Sequence, residues 1–180
     1  MAHKEQKDFC LKVKNIFPNS FKQKVCLDVG SLDINGSNRF LFNNCSYTGI
    51  DIGPGRNVDV VAIAHEFNAP DNFYDTIIST ECFEHDMHYE KTIKNIIRML
   101  KPNGLFLFTC ATTGRKEHGT ARTSPEDAPL THNFSSWTNY YKNLTEHDFI
   151  SIDNFSSSFS KLHFEVNDIS KDLYFYGIKK

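Results

Sequence analysis

Short apolar segments separated by polar stretches recur along this chain. Five of them have strand length, end at Gly, Pro, Asn or a polar loop, and carry too few residues for a buried helix. We predict strands at residues 25–29, 47–52, 58–63, 74–79 and 105–110. The last of these is apolar throughout, which predicts a central strand covered on both faces.

One later segment instead has helical periodicity. In residues 89–100 the apolar side chains recur every three or four positions, as Ile93, Ile96, Ile97 and Leu100. Pro102 and Gly104 follow directly and are expected to end the helix. A shorter helix is expected to include residues 39–43. Strands that alternate with helices predict a doubly wound α/β fold with a mostly parallel sheet.

The pattern changes after residue 110. Residues 112–133 form a long polar segment rich in Gly, Pro and Thr, which is expected to be either a lid over a site or a solvated connection. A helix start is predicted at residues 145–148. Residues 149–155 and 173–179 are predicted to be the last two strands, an antiparallel pair at the sheet edge. We therefore expect one domain over 1–180, with a core at 22–111, seven strands, and the C-terminal strands within 149–180.

Composition supports a folded domain and gives no indication of nucleic acid or a membrane as a binding partner. The chain has 180 residues, 39% of them hydrophobic, with 16 Phe, so a sizeable core is expected. The net charge of −2 gives no reason to expect nucleic acid or a membrane surface. The excess of lysines before residue 25 is expected to be a solvated helix face. No apolar window reaches the roughly 18 residues of a membrane span.

The cysteines indicate a cellular compartment. There are five, with no CxxC pair, and the first residues contain no apolar signal core. We expect reduced thiols and a cytoplasmic location.

The first strand is followed by a glycine turn that differs from a dinucleotide site. Such a site needs GxGxxG, but here Leu32 occupies the place of the second Gly after Gly30. A leucine there would obstruct a diphosphate and leaves room for an adenosyl ligand without phosphates. Asp51 ends the second strand, where a carboxylate suits a ribose diol. The alternative for Asp51 is a turn-initiating residue before the Gly53-Pro54-Gly55 loop.

Four segments in this order resemble class I S-adenosylmethionine-dependent methyltransferases. They are DVGS at 28–31, YTGIDI at 47–52, YDTIISTECFEH at 74–85 and MLKPNGLFLFT at 99–109. The resemblance covers about residues 25–110. It implies a Rossmann-like methyltransferase fold, S-adenosylmethionine as cofactor and methyl transfer as the reaction.

The resemblance also implies which residues hold the cofactor. The first turn would hold the methionine part, the second strand end the ribose and adenine, the third strand end the adenine edge, and the fourth strand end the space near the sulfonium. The corresponding residues are Asp28, Gly30, Ser31, Asp51, Ile52, Ala64, His65, Thr80 and Glu81. The chain departs from the family's DxGxGxG pattern at Leu32 and Ile34, where Gly36 would take over part of the turn. Ile63 stands where the family often has an acid.

Methyl transfer from a sulfonium mainly requires alignment of acceptor and methyl group, and an oxygen or nitrogen acceptor can also require a base. Glu84 and His85 match the family's Glu-His pair after the fourth strand, and His118 lies on the long loop. We predict these three as catalytic residues, with a packing or capping role as the alternative for His85. His85, Asp86 and His88 lack the spacing of a metal set, so no metal ion is expected.

Two further groups bear on the acceptor. Arg115 and Arg122 on the long loop could bind an anionic acceptor. The aromatic cluster of Trp137, Tyr140 and Tyr141 is expected to be core rather than an acceptor platform.

The chain leaves little room for a separate substrate domain. The acceptor is therefore expected to be a small molecule, or an exposed sugar or peptide group, covered by the long loop. A protein partner or a second copy of the chain could supply the missing wall instead. Two alternative functions are a non-catalytic adenosyl-binding subunit that scaffolds a partner enzyme, and an NAD or nucleotide-sugar enzyme on the same fold.

Overall fold

In the computed structural model, which describes residues 3–180, seven strands form one sheet. Their bounds are Val25–Val29 (β1), Ser46–Asp51 (β2), Val60–Val61 (β3), Tyr74–Thr80 (β4), Leu100–Ala111 (β5), Phe159–Asn167 (β6) and Asp172–Lys179 (β7). The spatial order is β3-β2-β1-β4-β5-β7-β6. β1 to β5 pair in parallel, whereas β7 runs antiparallel to both β5 and β6. The predicted seven-stranded, mostly parallel α/β sheet is confirmed.

Helices cover both faces of the sheet. Helix α1 (Lys4–Ile16) packs on one face, and α2 (Tyr89–Met99) and α3 (Glu146–Ile150) pack on the other. Because successive side chains of a strand point to opposite faces, β5 serves two cores. Leu105 and Leu107 belong to the α1 side, while Phe106 and Phe108 belong to the α2 side. This explains why residues 105–108 of β5 are all apolar, and it confirms the predicted central position of this strand.

Aromatic rings fill much of the α2 side. The ring of Phe108 stacks on Phe175 with centroids 5.0 Å apart and lies 4.4 Å from Phe149. Phe83 meets it edge-on at 5.2 Å. Such pairs stabilise a core beyond their buried area, so the many phenylalanines of this chain have a structural purpose.

The prediction of a strand at residues 149–155 was wrong. Asp148 accepts a hydrogen bond from the backbone N–H of Thr145 at 2.8 Å, which caps the start of α3, as the expected helix start at 145–148 required. Phe149, Ile152 and Phe155 are all buried and recur every third residue, the spacing of one helix or turn face. The edge strand is β6 instead, and its antiparallel pairing with β7 is as predicted.

Other boundaries differ in detail. The helix predicted to include residues 39–43 is only a 3₁₀ turn at Asn38–Leu41, and β3 is reduced to two residues. Helix α2 ends at Met99, as Pro102 predicts. β5 nevertheless begins at Leu100, with a register irregularity against β4 between Tyr74 and Thr76. Across residues 3–180 no helix has both the length and the apolar character needed to cross a bilayer.

Candidate active site

A cleft of about 950 Å³, measured out to its open mouth, lies at the carboxyl ends of β1, β2 and β4. β1 lies between β2 and β4, so the chain reverses its order of strand addition here, which is where ligands bind in open α/β sheets. Of the nine residues expected to hold a cofactor, eight line this cleft: Asp28, Gly30, Ser31, Asp51, Ile52, Ala64, Thr80 and Glu81. The remaining one, His65, packs against the ring of His88 at 4.6 Å.

The turn after β1 depends on glycine at position 30. Its φ is +78°, and a Cβ there would lie 2.5 Å from Sγ of Cys82. The N–H groups of Gly30 and Ser31 both donate to the carbonyl of Ile50 at 3.0 Å. The turn is therefore pressed between β2 and the segment after β4, and only a residue without a side chain fits the first position.

Leu32 and Asp51 are joined across the cleft floor. The N–H of Leu32 donates to Oδ2 of Asp51 at 3.0 Å, and the N–H of Ile52 donates to Oδ1 at 2.8 Å. Burial raises the pKa of Asp51, against these two hydrogen bonds. A carboxylate has about four acceptor positions, so each oxygen retains capacity for a further hydroxyl. The Leu32 side chain contacts Gly55 of the loop after β2 and forms part of the cleft wall.

Asp28 is held by neighbours that sequence reasoning missed. Its carboxylate accepts hydrogen bonds from the hydroxyl of Tyr47 and from Nδ2 of Asn38, and Asn38 also donates to Thr80 at 3.0 Å. Burial raises the pKa of Asp28 to about 6, although the hydrogen bonds oppose this rise. No sequence pattern marks Asn38 as a partner of Asp28. Its place at the start of the 3₁₀ turn after Ser37 is a feature of the structure.

Glu81 is a second constrained residue, just after β4. Its φ is +52°, which is unfavourable for a residue with a side chain and is typical of functional sites. Oε1 accepts from Oγ1 of Thr109 at 2.7 Å, and Oε2 lies 3.7 Å from Nε2 of His3. The same His3 atom lies 2.9 Å from Oδ2 of Asp172. Two buried carboxylates thus converge on one histidine.

The electrostatics of this group follow from that geometry. Burial alone would lower the pKa of His3, but the hydrogen bonds and charges of Asp172 and Glu81 outweigh it and raise the pKa to about 10. Burial alone would raise the pKa of Glu81, but the contact with His3 outweighs burial and lowers this pKa to about 2. His3 was not singled out in the sequence, because it lies far along the chain from both partners.

The three predicted catalytic residues, Glu84, His85 and His118, come together in space. Each is buried, and one ligand-type atom from each lies within 4.8 Å of the others. Burial raises the pKa of Glu84 to about 8 and lowers that of His85 to about 3, and it also lowers the pKa of His118. Only His85 lines the cleft itself. Of the three residues, His85 can therefore contact a ligand in the cleft, whereas Glu84 and His118 lie behind the cleft wall.

The loop residues with candidate roles in acceptor binding have other partners. Arg115 donates to Asp172 at 3.2 Å, and Arg122 forms an exposed pair with Glu117. Neither arginine lines the cleft. Trp137, expected in the core, forms part of the cleft wall, and its ring lies 5.9 Å from that of His88. Asp86 accepts a hydrogen bond from the backbone N–H of His88 at 2.8 Å and so stabilises the turn that leads into α2.

Comparisons with known proteins give a family match and a set of structures with the same fold. The chain matches the family described as a methyltransferase domain over residues 1–167. No curated protein sequence is significantly similar to it.

Solved structures share the fold at low sequence identity. Phosphoethanolamine N-methyltransferase 2 of Haemonchus contortus, solved with phosphomonomethylethanolamine and S-adenosylhomocysteine, is 16% identical with a TM-score of 0.64, over 96% of this chain and 52% of that one. The Burkholderia thailandensis 1,6-didemethyltoxoflavin-N1-methyltransferase, solved with that substrate and S-adenosylhomocysteine, is 12% identical with a TM-score of 0.61, over 100% and 92%. N-methyltransferase NodS of Bradyrhizobium japonicum is 14% identical with a TM-score of 0.59, over 96% and 95%. The chain thus spans about half the length of the Haemonchus enzyme.

Proposed function

This chain belongs to the methyltransferase domain family, and we propose that it transfers the methyl group of S-adenosylmethionine to a small molecule or to an exposed sugar or peptide group. The observation that carries this proposal is the cleft at the β1, β2 and β4 ends, with the Asp51 carboxylate at its floor. Eight residues expected to hold the cofactor line that one cleft. The fold-sharing enzymes solved with S-adenosylhomocysteine support the choice of cofactor.

The chemistry of the cleft wall favours an adenosyl ligand without phosphates. Among the wall residues of the described chain there is no Lys or Arg to neutralise a diphosphate. Asp51 would accept from the ribose hydroxyls, and Ile52 and Ala64 would contact the adenine. Gly30 would let the methionine part approach the backbone of the turn. An NAD or nucleotide-sugar ligand is therefore disfavoured, and a thermal-shift comparison of NAD with S-adenosylhomocysteine distinguishes the two.

The reaction mainly requires that the acceptor atom be aligned with the methyl group and the sulfur of the cofactor. The acceptor atom attacks the methyl carbon in line with the departing sulfur, and its proton is lost to a base or to solvent. We place the acceptor beside His85 and Trp137, because both line the cleft and neither is among the residues expected to hold the cofactor. Burial lowers the pKa of His85 to about 3, so near pH 7 this wall of the cleft carries a neutral imidazole with one nitrogen lone pair.

The segment 112–133 is proposed to cover the bound ligands. It contains 3₁₀ turns at Pro125–Asp127 and Pro129–Asn133, and residues 127–131 line the cleft. Leu130 contacts Gly53 in the loop after β2, so the segment spans from one side of the opening to the other. This favours a lid over a solvated connection.

Ligand binding is expected to protect the lid from protease. Trypsin should cut after Lys116 and Arg122 several-fold more slowly with saturating S-adenosylhomocysteine, since a bound ligand lowers the population of the open segment. Cleavage sites would be mapped by mass spectrometry, with the exposed Lys161 as the internal reference. Equal cleavage with and without ligand would contradict a covering role.

Asp51→Ala is expected to weaken S-adenosylhomocysteine binding by roughly 10- to 150-fold. The ribose loses a charged acceptor worth about 1.5–3 kcal/mol. Titration calorimetry measures the change, and circular dichroism checks that the turn still folds. Asp51→Asn keeps the size but only one acceptor oxygen, and it should give an intermediate loss.

Asp153→Ala is the matched control, because that carboxylate is exposed and, among residues 3–180, pairs only with Lys94 at 3.0 Å. Its affinity should equal that of the wild type. An unchanged affinity in Asp51→Ala would remove Asp51 from the cofactor site.

A non-catalytic adenosyl-binding subunit is the second candidate function. Leu32 and Ile34 in place of the family's glycines favour it. Tight S-adenosylhomocysteine binding without turnover, together with a stable complex on size-exclusion chromatography, would support it over the enzyme. A partner or a second copy of the chain could then complete the acceptor wall.

We also propose a cytoplasmic location. Five cysteines remain free in the described chain, three of them buried, which suits a reducing compartment.

A further inference from the structure

Glu84, His85 and His118 leave an unusual set of polar atoms without partners. Both oxygens of Glu84, both ring nitrogens of His85 and Nε2 of His118 are buried and lack any hydrogen bond within the described chain. Glu84 is 0% exposed, and His85 and His118 are 6% and 8% exposed. A buried polar group left unpaired costs about 1–3 kcal/mol, and more when it is charged. Five such atoms in one place therefore indicate something that binds among them.

The tautomer of His118 is set for a ligand. Its Nδ1 lies 3.0 Å from the carbonyl oxygen of Lys116, which can only accept, so Nδ1 carries the proton. Nε2 then keeps a free lone pair, and it has no hydrogen-bond partner among the described residues. A backbone carbonyl that holds the second ring nitrogen is the usual support of a metal-binding histidine.

The backbone is shaped to bring the three side chains together. Glu84 and His85 lie on the 3₁₀ turn Phe83–His85 after β4, and the Glu84 carbonyl accepts from the N–H of Lys142 at 2.9 Å. His118 comes from the loop after β5. Gly119 has a φ of +68°, and a Cβ there would lie 2.6 Å from Cε1 of His85. The loop therefore approaches the imidazole as closely as a glycine permits.

We propose that Glu84, His85 and His118 form a binding site for a divalent transition-metal ion with coordination positions open towards the cleft. Two imidazoles and one carboxylate match the nitrogen and oxygen preferences of Zn²⁺, Co²⁺, Mn²⁺ and Fe²⁺. Three protein ligands leave room for water or substrate, as in catalytic rather than structural sites. The set differs from His85, Asp86 and His88, which the sequence offered and which the fold does not assemble.

Its role would rest on the proposed function. His85 lines the cleft, so an ion held by it would lie next to an acceptor oxygen bound there. The ion lowers the pKa of a bound hydroxyl, whose proton passes to solvent. The resulting oxygen attacks the methyl carbon, the carbon–sulfur bond breaks, and the sulfur keeps the electron pair as S-adenosylhomocysteine forms. The acceptor class that fits is a hydroxyl compound.

The neighbouring group of His3, Glu81 and Asp172 provides a contrast. Its geometry would also admit an ion. However, His3 lies 2.9 Å from Asp172, and Arg115 donates to the same carboxylate, so its charges already neutralise one another. We assign no ion there and use it as a comparison.

The test is direct metal binding without cofactor. Chelator-treated full-length protein would be titrated with Co²⁺, following its visible absorption and the bound metal by plasma mass spectrometry. We expect one equivalent in the wild type. Glu84→Gln and His118→Gln should each weaken binding by more than about 100-fold, since even outer partners of a metal site are worth 10- to 100-fold.

The controls are histidines outside the cluster. His132→Gln changes another histidine of the same loop, whose ring nitrogens lie near Thr138 and Pro125, and it should bind Co²⁺ as the wild type does. His3→Gln should also retain the ion. Circular dichroism establishes folding, and Glu84→Gln is expected to fold because it removes a buried unpaired carboxylate.

Absence of Co²⁺ binding in the wild type would overturn the proposal and leave water as the occupant. Equal binding by wild type, Glu84→Gln and His118→Gln would overturn it too, as would loss in His3→Gln alone. S-adenosylhomocysteine affinity separates this inference from the proposed function. His118→Gln should lose Co²⁺ and keep S-adenosylhomocysteine, whereas Co²⁺ binding without any affinity for S-adenosylhomocysteine would reject the proposed function and keep the metal site.

Discussion

Gly30→Ala is expected to abolish measurable S-adenosylhomocysteine binding and to lower the free energy of unfolding by about 2–5 kcal/mol. The positive φ costs a residue with a side chain about 1–2 kcal/mol. The new Cβ would also lie 2.5 Å from Sγ and 2.7 Å from Cβ of Cys82, and such overpacking costs about 1–3 kcal/mol. Urea unfolding and titration calorimetry measure the two effects.

Two further variants divide this effect into its parts. Gly114 has a φ of +92°, but a Cβ there would meet only the Lys171 side chain at 3.5 Å. Gly114→Ala therefore carries the conformational cost alone. Adding Cys82→Gly to Gly30→Ala removes both clashing atoms and should recover the steric part. If Gly30→Ala were no less stable than Gly114→Ala, the contact with Cys82 would not constrain the turn.

His3→Ala is expected to lower the free energy of unfolding by about 3 kcal/mol near pH 6. The change leaves Glu81 without its cation and Asp172 with only Arg115, and breaking a buried pair by removing one partner is strongly destabilising. His163→Ala is the matched control. That histidine also pairs with a carboxylate, Glu165, but its side chain is 42% exposed, so its loss should cost less than about 1 kcal/mol.

The His3 effect should depend on pH with a defined sign. The pKa of His3 is raised to about 10 in the folded chain from 6.5, so its contribution is fully present below about pH 6.5 and is lost as pH rises through about 10. The pKa of Glu81 is lowered to about 2, so its contribution is present above 4.5 and is lost as pH falls through about 2.

Denaturant unfolding at pH 6 and again near pH 9.5 checks the His3 sign. The difference in stability between wild type and His3→Ala should shrink at the higher pH. A difference that stays constant or grows with pH would show that His3 is not a cation paired with these carboxylates.

Much of the fold and part of the site could be predicted from local pattern. The apolar runs of β1, β4 and β5 and the periodicity of α2 identified the central sheet and one of its covering helices. Asp51 and Gly30 could be placed at one edge, because parallel strands bring their carboxyl ends together. Residues 149–155 are the exception. Their apolar spacing of three was assigned to a strand, although a capped turn at Thr145 begins a helix there.

The residues that sequence reasoning missed share one property. Asn38 and His3 take their roles from partners that are distant in the chain, Asn38 from Thr80 and His3 from Glu81 and Asp172. Trp137 was expected in the core and lines the cleft instead. No periodicity marks such residues, because a long-range contact leaves no local signal.

By itself the sequence determined the α/β architecture and the edge of the sheet at which the cleft lies, and it predicted that the first turn does not suit a diphosphate. These follow from side-chain size and periodicity over short distances along the chain. Only the tertiary structure decided that His118 meets Glu84 and His85, and that His3 lies between two carboxylates. The physical reason is that these groups are paired by the packing of loops and helix starts against the sheet, across as many as 169 positions of sequence in the case of His3 and Asp172.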